Sequence, residues 1–265
     1  MKVLNKKYNI SNKLNKKIVL ISDIHYSGKE DIKTLNYVLD SIKKINPNYI
    51  CITGDTIDTA NPNNFNLIKN WLTKLSKISK IIMIFGNHEF YIDKKNNKYG
   101  LNDKTINEIK NIDNLYLLDN KNIVIDNINF IGLTLPIEHY MVNSESEEDF
   151  KKYIKNIKTN KKYYNILLCH SPLNISKKEI IKDVNVDLVL CGHMHGGLLP
   201  NFLKPIFKNI GLVSPQKTLF PKCAYGNIKI GNKNIIITSG IKVMSKSSFK
   251  YIKNIFASEV VEINI

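Results

Sequence analysis

Arginine is absent from this sequence. All 39 basic residues are lysine, and together with 23 acidic residues they give a formal net charge of +16. The chain therefore lacks the planar guanidinium group that binds phosphate through two parallel N–H bonds, so a phosphate must be held by lysine, backbone amides or metal ions. Because lysine, asparagine and isoleucine are abundant throughout, we interpret the charge as a solvated coat. A nucleic-acid surface is the alternative.

Long hydrophobic runs are missing as well. No segment of 18 or more apolar residues occurs, so we expect no transmembrane helix. The basic segment 1–7 is not followed by an apolar run, so we expect no signal peptide. The four cysteines show no C-x-x-C spacing, and three of them end predicted strands, which is typical of buried, reduced thiols. These features predict a cytoplasmic protein, and 265 residues fit one large domain, 1–265.

Short apolar runs followed by polar residues recur along the first third of the chain. Segments 18–21, 49–53 and 81–85 have the composition of buried strands, and helical spacing of apolar residues covers 31–45 and 65–78. Strand–loop–helix units in succession predict parallel strands. In such sheets, sites form beyond the carboxyl ends of the strands.

The rest of the chain predicts mainly strands. We expect them at 115–118, 123–125, 130–133, 166–169, 186–190, 235–238 and 260–263. The last two are expected to complete a second sheet. Residues 126–127 fit a hairpin turn, 94–104 a surface loop and 144–157 a helix. The sequence therefore predicts an α/β protein without an internal repeat or linker.

Residues of types that can bind metal ions follow directly after the predicted strands. They are Asp23, His25, Asp55, Asn87, His88, His170, His193 and His195. Of the six histidines only His139 lies outside this set, and we expect it at the surface or locally hydrogen-bonded. A hydrogen-bonded pair is the alternative for His193 and His195 taken alone. On the glycine-rich turn 191–197, however, the two rings can diverge toward different metal ions, as they could not in a regular strand.

The ordered motifs D-x-H, G-D-x-x-D, G-N-H-E, H-S-P and G-H-x-H, between Asp23 and Gly197, resemble those of the calcineurin-like metallophosphoesterases. The resemblance implies a two-sheet αββα sandwich with a dinuclear metal site at the carboxyl ends of the strands. It implies one metal ion on Asp23, His25, Asp55 and His195, and a second on Asp55, Asn87, His170 and His193. Asp55 would bridge the two ions. Oxygen and nitrogen ligands suit Mn, with Fe, Zn or Co as alternatives.

The resemblance also assigns catalytic roles. His88 is not a ligand in the family and is expected to stabilise the transition state or protonate the leaving oxygen. Asp58 is similar to the family aspartate that orients this histidine, and a capping or surface carboxylate is the alternative. Two divalent cations about 3.5–4 Å apart clamp a phosphate and lower the pKa of a bridging water.

The branch of the family follows from further positions. Thr59 stands where protein-phosphatase relatives carry an arginine. The motifs at 192–197, 214–216 and 219–222 resemble a bacterial phosphodiesterase branch related to UDP-2,3-diacylglucosamine pyrophosphatases. We therefore expect cleavage of a phosphodiester or pyrophosphate bond by a metal-bound hydroxide, on a nucleotide or lipid-linked substrate. A nuclease and a non-catalytic scaffold are the alternatives, and scaffolds usually lose ligands that are all present here.

Residues 198–220, called the 198–220 segment below, are apolar and proline-rich without periodicity, and carry lysines at 204, 208 and 217. One interpretation is a long loop whose apolar residues are buried on the second sheet. The other is a partly exposed apolar lip with a basic rim, which contacts an anionic membrane at its inner face or receives an acyl chain. The exposure of the side chains decides between them.

Overall fold

The computed structural model describes residues 3–11, 13–26, 28, 32–58, 65–90, 100–140, 147–242, 256 and 258–265. Within these residues the strands are β1 Val3–Asn9, β2 Lys17–Ile21, β3 Tyr49–Thr53, β4 Lys80–Ile84, β5 Leu115–Leu117, β6 Asn122–Ile125, β7 Ile128–Leu133, β8 Tyr164–Cys169, β9 Leu188–Cys191, β10 Gly226–Ile230, β11 Lys233–Ile237 and β12 Ser258–Asn264. The α-helices are α1 Ile32–Ile45, α2 Phe65–Ser76, α3 Asp103–Lys110, α4 Glu147–Lys155, α5 Lys178–Ile181 and α6 Lys204–Phe207.

The strands form two six-stranded sheets. Their orders are β1-β12-β2-β3-β4-β5 and β10-β11-β9-β8-β7-β6. Strands β2 to β5 are parallel to one another in the first sheet, whereas β12 pairs antiparallel with β2. In the second sheet β7, β8, β9 and β11 are parallel. The strand–loop–helix pattern therefore predicted the parallel direction correctly. The β6–β7 hairpin turns at Asp126 and Asn127, both with positive φ, as the sequence indicated.

The two sheets pack face to face, and helices cover their outer faces. Alternate residues of β2 show the arrangement, since Leu20 belongs to the apolar layer between the sheets and Val19 to the layer under α1 and α2. Trp71 is buried in that outer layer and donates its indole N–H to the Leu35 carbonyl at 2.8 Å. A third apolar layer, which includes Phe150 and Ile180, lies under α4 and α5. The expected αββα sandwich is confirmed.

One predicted strand lies in the other sheet. Residues 260–263 were expected to complete the second sheet, but β12 pairs with β2 and β1 in the first. Most of β12 is buried on both faces, and a doubly buried apolar run carries no information about its partner strand. The pairing places Val261 opposite Leu20 and brings the buried Glu259 carboxylate within 3.1 Å of Lys6 Nζ.

Five elements were not predicted, namely β1, β10, α3, α5 and α6. Strand β1 has an alternating polar edge pattern, and β10 lies next to the irregular 198–220 segment. Helix α3 begins at Asp103, inside the expected loop 94–104, so the loop prediction was wrong for its last two residues. Helices α5 and α6 have only four residues each, too few for an apolar period to show. Helix α3 is capped by Asn102, whose side chain accepts from the Thr105 N–H at 2.9 Å. Residues 94–99 of that loop, and 144–146 of the predicted helix 144–157, lie outside the described residues.

The composition predicted that the chain has no transmembrane helix and that its cysteines are buried, reduced thiols. Among the described residues, no helix combines the length and apolar character that crossing a membrane requires. All four cysteines are free thiols, and Cys51, Cys169 and Cys191 are buried, as the sequence predicted.

Candidate metal centre

The carboxyl ends of five parallel strands meet at one place between the sheets. The first sheet supplies Asp23 and His25 after β2, Asp55 after β3 and Asn87 after β4. The second sheet supplies His170 after β8, and His193 and His195 after β9. The site therefore requires both sheets, and their packing sets the distances between ligands from the two halves of the chain.

Backbone conformation at this site departs from what strands and helices adopt. The φ angles are positive at five candidate ligands, namely Asp23, His25, Asp55, His193 and His195. Non-glycine residues rarely occupy this left-handed region, and its cost is tolerated mainly where the surrounding structure enforces it, as at functional sites. These five ligands therefore lie on turns and not in the regular strands that precede them.

At two positions beside the ligands, the backbone approaches a carboxylate so closely that only glycine fits. A Cβ atom at Gly192 would lie 2.0 Å from Ser22 Oγ and 2.5 Å from Asp23 Oδ2. A Cβ atom at Gly86 would lie 2.3 Å from Asp55 Oδ1. Glycine is therefore required at both positions for the loops to approach the two carboxylates.

The ligand atoms of the described residues fall into three groups, two of which include the Asp55 carboxylate. Three groups have their ligand atoms within 4.8 Å of one another: Asp23, His25 and His195; His25, Asp55 and His88; and Asp55, His170 and His193. Asp55 Oδ2 lies 3.7 Å from His25 Nε2 and 3.1 Å from His170 Nε2. One carboxylate thus contacts both sides of the site.

Three buried polar atoms here have no hydrogen-bond partner among the described residues. They are His25 Nε2, His195 Nδ1 and Asn87 Oδ1. Buried polar atoms are nearly always satisfied in proteins, so a cluster of exceptions needs a physical reason. Nitrogen and oxygen atoms beside two buried aspartates are suitable ligands for divalent cations. The donor set therefore fits metal ions.

The charges of the ligands are set by burial and by Asp55. Burial lowers the pKa of His25 and of His193, which favours neutral rings with a lone pair for metal. Burial also disfavours the charged form of His170, but the neighbouring Asp55 carboxylate outweighs it and raises the pKa of His170 to about 9. A metal ion that binds His170 must therefore displace a proton from it.

His88 and Asp58 lie at the rim of this site. His88 Nδ1 is 3.6 Å from Asp58 Oδ1, and the His88 backbone N–H donates to Asp55 Oδ1 at 2.8 Å. The His88 ring also packs edge-on against His25, with centroids 4.4 Å apart. Burial opposes a charge on His88, but Asp58 and Asp55 outweigh it and raise the pKa of this histidine.

The sequence singled out two further positions, of which only His139 is among the described residues. His139 is buried, not at the surface, and its ring contacts those of Phe150 and Tyr153. It belongs to none of the potential metal-binding groups found among the described residues. Thr59, the position where protein-phosphatase relatives carry an arginine, lies outside the described residues.

Glu89 has a role that the sequence did not reveal. This buried carboxylate accepts four backbone N–H bonds: Oε1 from Thr56 at 2.7 Å and Ile57 at 3.1 Å, and Oε2 from Asp55 at 3.0 Å and Gly86 at 2.8 Å. It therefore ties the loop that carries Asp55 to the loop that carries Asn87. Burial and the nearby Asp55 raise the pKa of Glu89 to about 7. Its place in G-N-H-E was the only signal.

Comparison with known proteins identifies the family. The calcineurin-like phosphoesterase family model matches residues 16–197, a range that includes every candidate ligand. The chain belongs to this family.

Individual relatives agree with this assignment. A metallophosphoesterase from Campylobacter jejuni is 28% identical over 193 residues, which cover 71% of this chain and 46% of that protein. Another from Aquifex aeolicus is 30% identical over 183 residues, which cover 69% of this chain and 64% of that protein. The matched part thus spans about half to two thirds of the relatives' length. A dimetal phosphatase structure from Danio rerio has the same fold, with a TM-score of 0.50 and 12% identity over 89% of this chain and 90% of that one.

A change at Glu89 tests the connection between the two loops. Glu89→Gln replaces one accepting oxygen by an NH₂ group that faces backbone donors, so we expect the free energy of unfolding to fall by about 1–3 kcal/mol. Urea denaturation of the metal-free protein measures it. The exposed Glu179 provides the control, since Glu179→Gln removes the same charge without a buried bond. Equal stability of the two variants would contradict the role of Glu89.

Proposed function

We propose that the protein is a dinuclear metal-dependent phosphohydrolase that cleaves a phosphodiester or pyrophosphate bond. The observation that carries this proposal is the position of the Asp55 carboxylate, 3.7 Å from His25 Nε2 and 3.1 Å from His170 Nε2, with potential ligand atoms on both sides of it. A single carboxylate in that position can bind two cations and offset their mutual repulsion.

The proposed ligand sets share the Asp55 carboxylate. One metal ion is assigned to Asp23, His25, Asp55 and His195, and the other to Asp55, Asn87, His170 and His193. Mn²⁺ is the metal we expect, because the ligands are oxygen and nitrogen without thiolate, and Fe, Zn or Co have the same preference. When bound, such a pair of cations supplies the positive charge that holds a phosphate and lowers the pKa of attacking water.

His88 is proposed as the group that assists the leaving oxygen. Its Nδ1 faces Asp58 at 3.6 Å, which leaves Nε2 as the nitrogen able to donate a proton toward substrate. The raised pKa of His88 favours the protonated ring that this role needs. Asp58 is proposed to orient the ring through Nδ1.

Replacement of the bridging residue tests the proposed function. Asp55→Asn removes the negative charge shared by both cations, so we expect loss of one metal ion per chain and of nearly all turnover. Elemental analysis and hydrolysis of bis(p-nitrophenyl) phosphate with added Mn²⁺ measure the two effects. Asp40→Asn, at an exposed position on α1, is the control. An active Asp55→Asn protein with two tightly bound metal ions would overturn the assignment.

A change at His88 gives a different signature. His88→Asn is expected to keep the full metal content while turnover falls on the order of 10²–10⁴-fold, the usual contribution of acid–base assistance. The loss should shrink for p-nitrophenyl leaving groups, which need no proton, relative to alkyl ones. Steady-state rates on matched aryl and alkyl phosphodiesters measure this. An equal loss for both would show that His88 is not the acid.

The 198–220 segment divides into a buried and an exposed part. Leu199 is buried, and Leu203, Phe207 and Leu212 pack against the second-sheet core. Four large apolar side chains are instead 62–71% exposed: Phe202, Ile206, Leu219 and Phe220. Lysines 208, 217 and 222, which lie near them in the sequence, are exposed as well. Both interpretations of the sequence therefore apply, each to a different part of the segment.

We propose that the exposed part, the apolar lip, contacts an anionic membrane surface and favours a lipid-linked nucleotide substrate. Exposed apolar side chains with lysines near them in the sequence have the complementary chemistry for anionic lipid. A nuclease is the alternative that the +16 charge supports. Steeply salt-dependent DNA binding would favour it.

Vesicle binding tests the apolar lip. We expect the wild type to co-sediment with phosphatidylglycerol vesicles more than with phosphatidylcholine vesicles, and Phe202→Ser/Ile206→Ser to lose most of this binding with unchanged unfolding. Val124→Ser, at an exposed apolar position on β6, is the control that should bind like wild type. Failure of the wild type to bind either vesicle would exclude the membrane proposal without affecting the metal centre.

A further inference from the structure

Gln216 points inward from a hairpin whose outer side is exposed. The hairpin is closed by the Phe220 N–H to the Leu212 carbonyl at 2.9 Å, and its tip by the Lys217 N–H to the Ser214 carbonyl at 2.9 Å. Gln216 at this tip is only 9% exposed, although its neighbours Pro215 and Lys217 are exposed. One polar side chain of the tip is therefore turned into the protein.

The buried amide contacts a candidate metal ligand. Gln216 Nε2 lies 2.7 Å from His193 Nε2 and 3.4 Å from the Tyr140 carbonyl oxygen. Gln216 Oε1 is buried and has no hydrogen-bond partner among the described residues. Because the amide occupies the Nε2 side of the His193 ring, Nδ1 is the nitrogen left to face a metal ion.

We propose that Gln216 is a positioning residue that holds the His193 ring with Nδ1 toward the metal pair. The inference rests on the proposed function, because it takes His193 as a ligand. A neutral imidazole carries one N–H and one lone pair. For Nδ1 to bind a cation, the proton must be on Nε2, where it needs an acceptor.

The Gln216 amide can serve either tautomer of His193. Its NH₂ group donates to Nε2 when the ring proton is on Nδ1, and its oxygen accepts from Nε2–H after a half-turn of the amide about its last side-chain bond. Binding of metal at Nδ1 thus moves the ring proton to Nε2 and selects the orientation with the oxygen toward His193. A partner that fixes the second nitrogen in this way strengthens metal binding by the first.

His170 shows the same arrangement with the nitrogens exchanged. Its Nδ1 lies 2.6 Å from the Thr53 carbonyl oxygen, which accepts only from an N–H, and its Nε2 faces the site, 3.1 Å from Asp55 Oδ2. The backbone thus fixes His170, whereas a side chain from the hairpin is available to His193. Substitution can therefore remove the partner of His193 without changing the ring itself.

Metal titrations of two variants test the proposal. Gln216→Met has similar length but no acceptor, and we expect it to bind one of two Co²⁺ ions about 10–100-fold more weakly than wild type, with the other ion unchanged. Gln216→Glu keeps an accepting oxygen and should restore the affinity. Thr218→Val, at an exposed position of the same hairpin, is the control. A merely structural role would predict weak binding by the Glu variant also.

A spectroscopic measurement on the wild type tests the same proposal and does not depend on the folding of any variant. In the Zn²⁺-loaded protein, ¹⁵N NMR of the histidine rings should show His193 bound through Nδ1 and protonated at Nε2. Zinc bound to Nε2 of His193, or unchanged Co²⁺ affinities in Gln216→Met, would overturn the role of Gln216. A wild type that binds fewer than two metal ions would instead overturn the proposed function.

Discussion

The Asp55 carboxylate is the group on which the rest of the site depends. It lies between His25 from its own sheet and His170 from the other, and it accepts the His88 backbone N–H. The backbone N–H of Asp55 donates a hydrogen bond to the Glu89 carboxylate. A buried carboxylate needs such partners, since burial without them would favour its neutral form. Here the neighbouring His170 holds the pKa of Asp55 well below its usual range, against the effect of burial.

Packing of the two sheets brings these partners together. The layer between the sheets is apolar throughout its core, from Leu20 and Ile84 on one side to Phe130 and Leu168 on the other. Close-packed interiors of this kind deform little, so the strand ends keep fixed separations. The turns that leave them can then hold ligands in left-handed conformations, because the tertiary contacts offset the local cost.

The hairpin at 212–220 has an exposed side and an inward side that differ in their contacts. Its exposed face carries Leu219 and Phe220, and its inward face carries Gln216 against His193. A surface available for a partner and a contact with a candidate ligand thus belong to one short element. Other residues of the 198–220 segment, such as Leu199, anchor it to the second-sheet core.

The sequence by itself determined the strands that lead to the site, their parallel direction and the residues that follow them, because apolar periodicity and ligand-forming residue types are local properties. Only the tertiary structure decided the sheet that β12 joins, the burial of His139, the four bonds to Glu89 and the contact of Gln216 with His193. Each of these depends on which distant segments meet, and an apolar or polar residue carries no local signal of its distant partner. The tertiary structure also decided which side chains of the 198–220 segment are buried and which are exposed. An apolar stretch without periodicity does not indicate which of its side chains pack into the core.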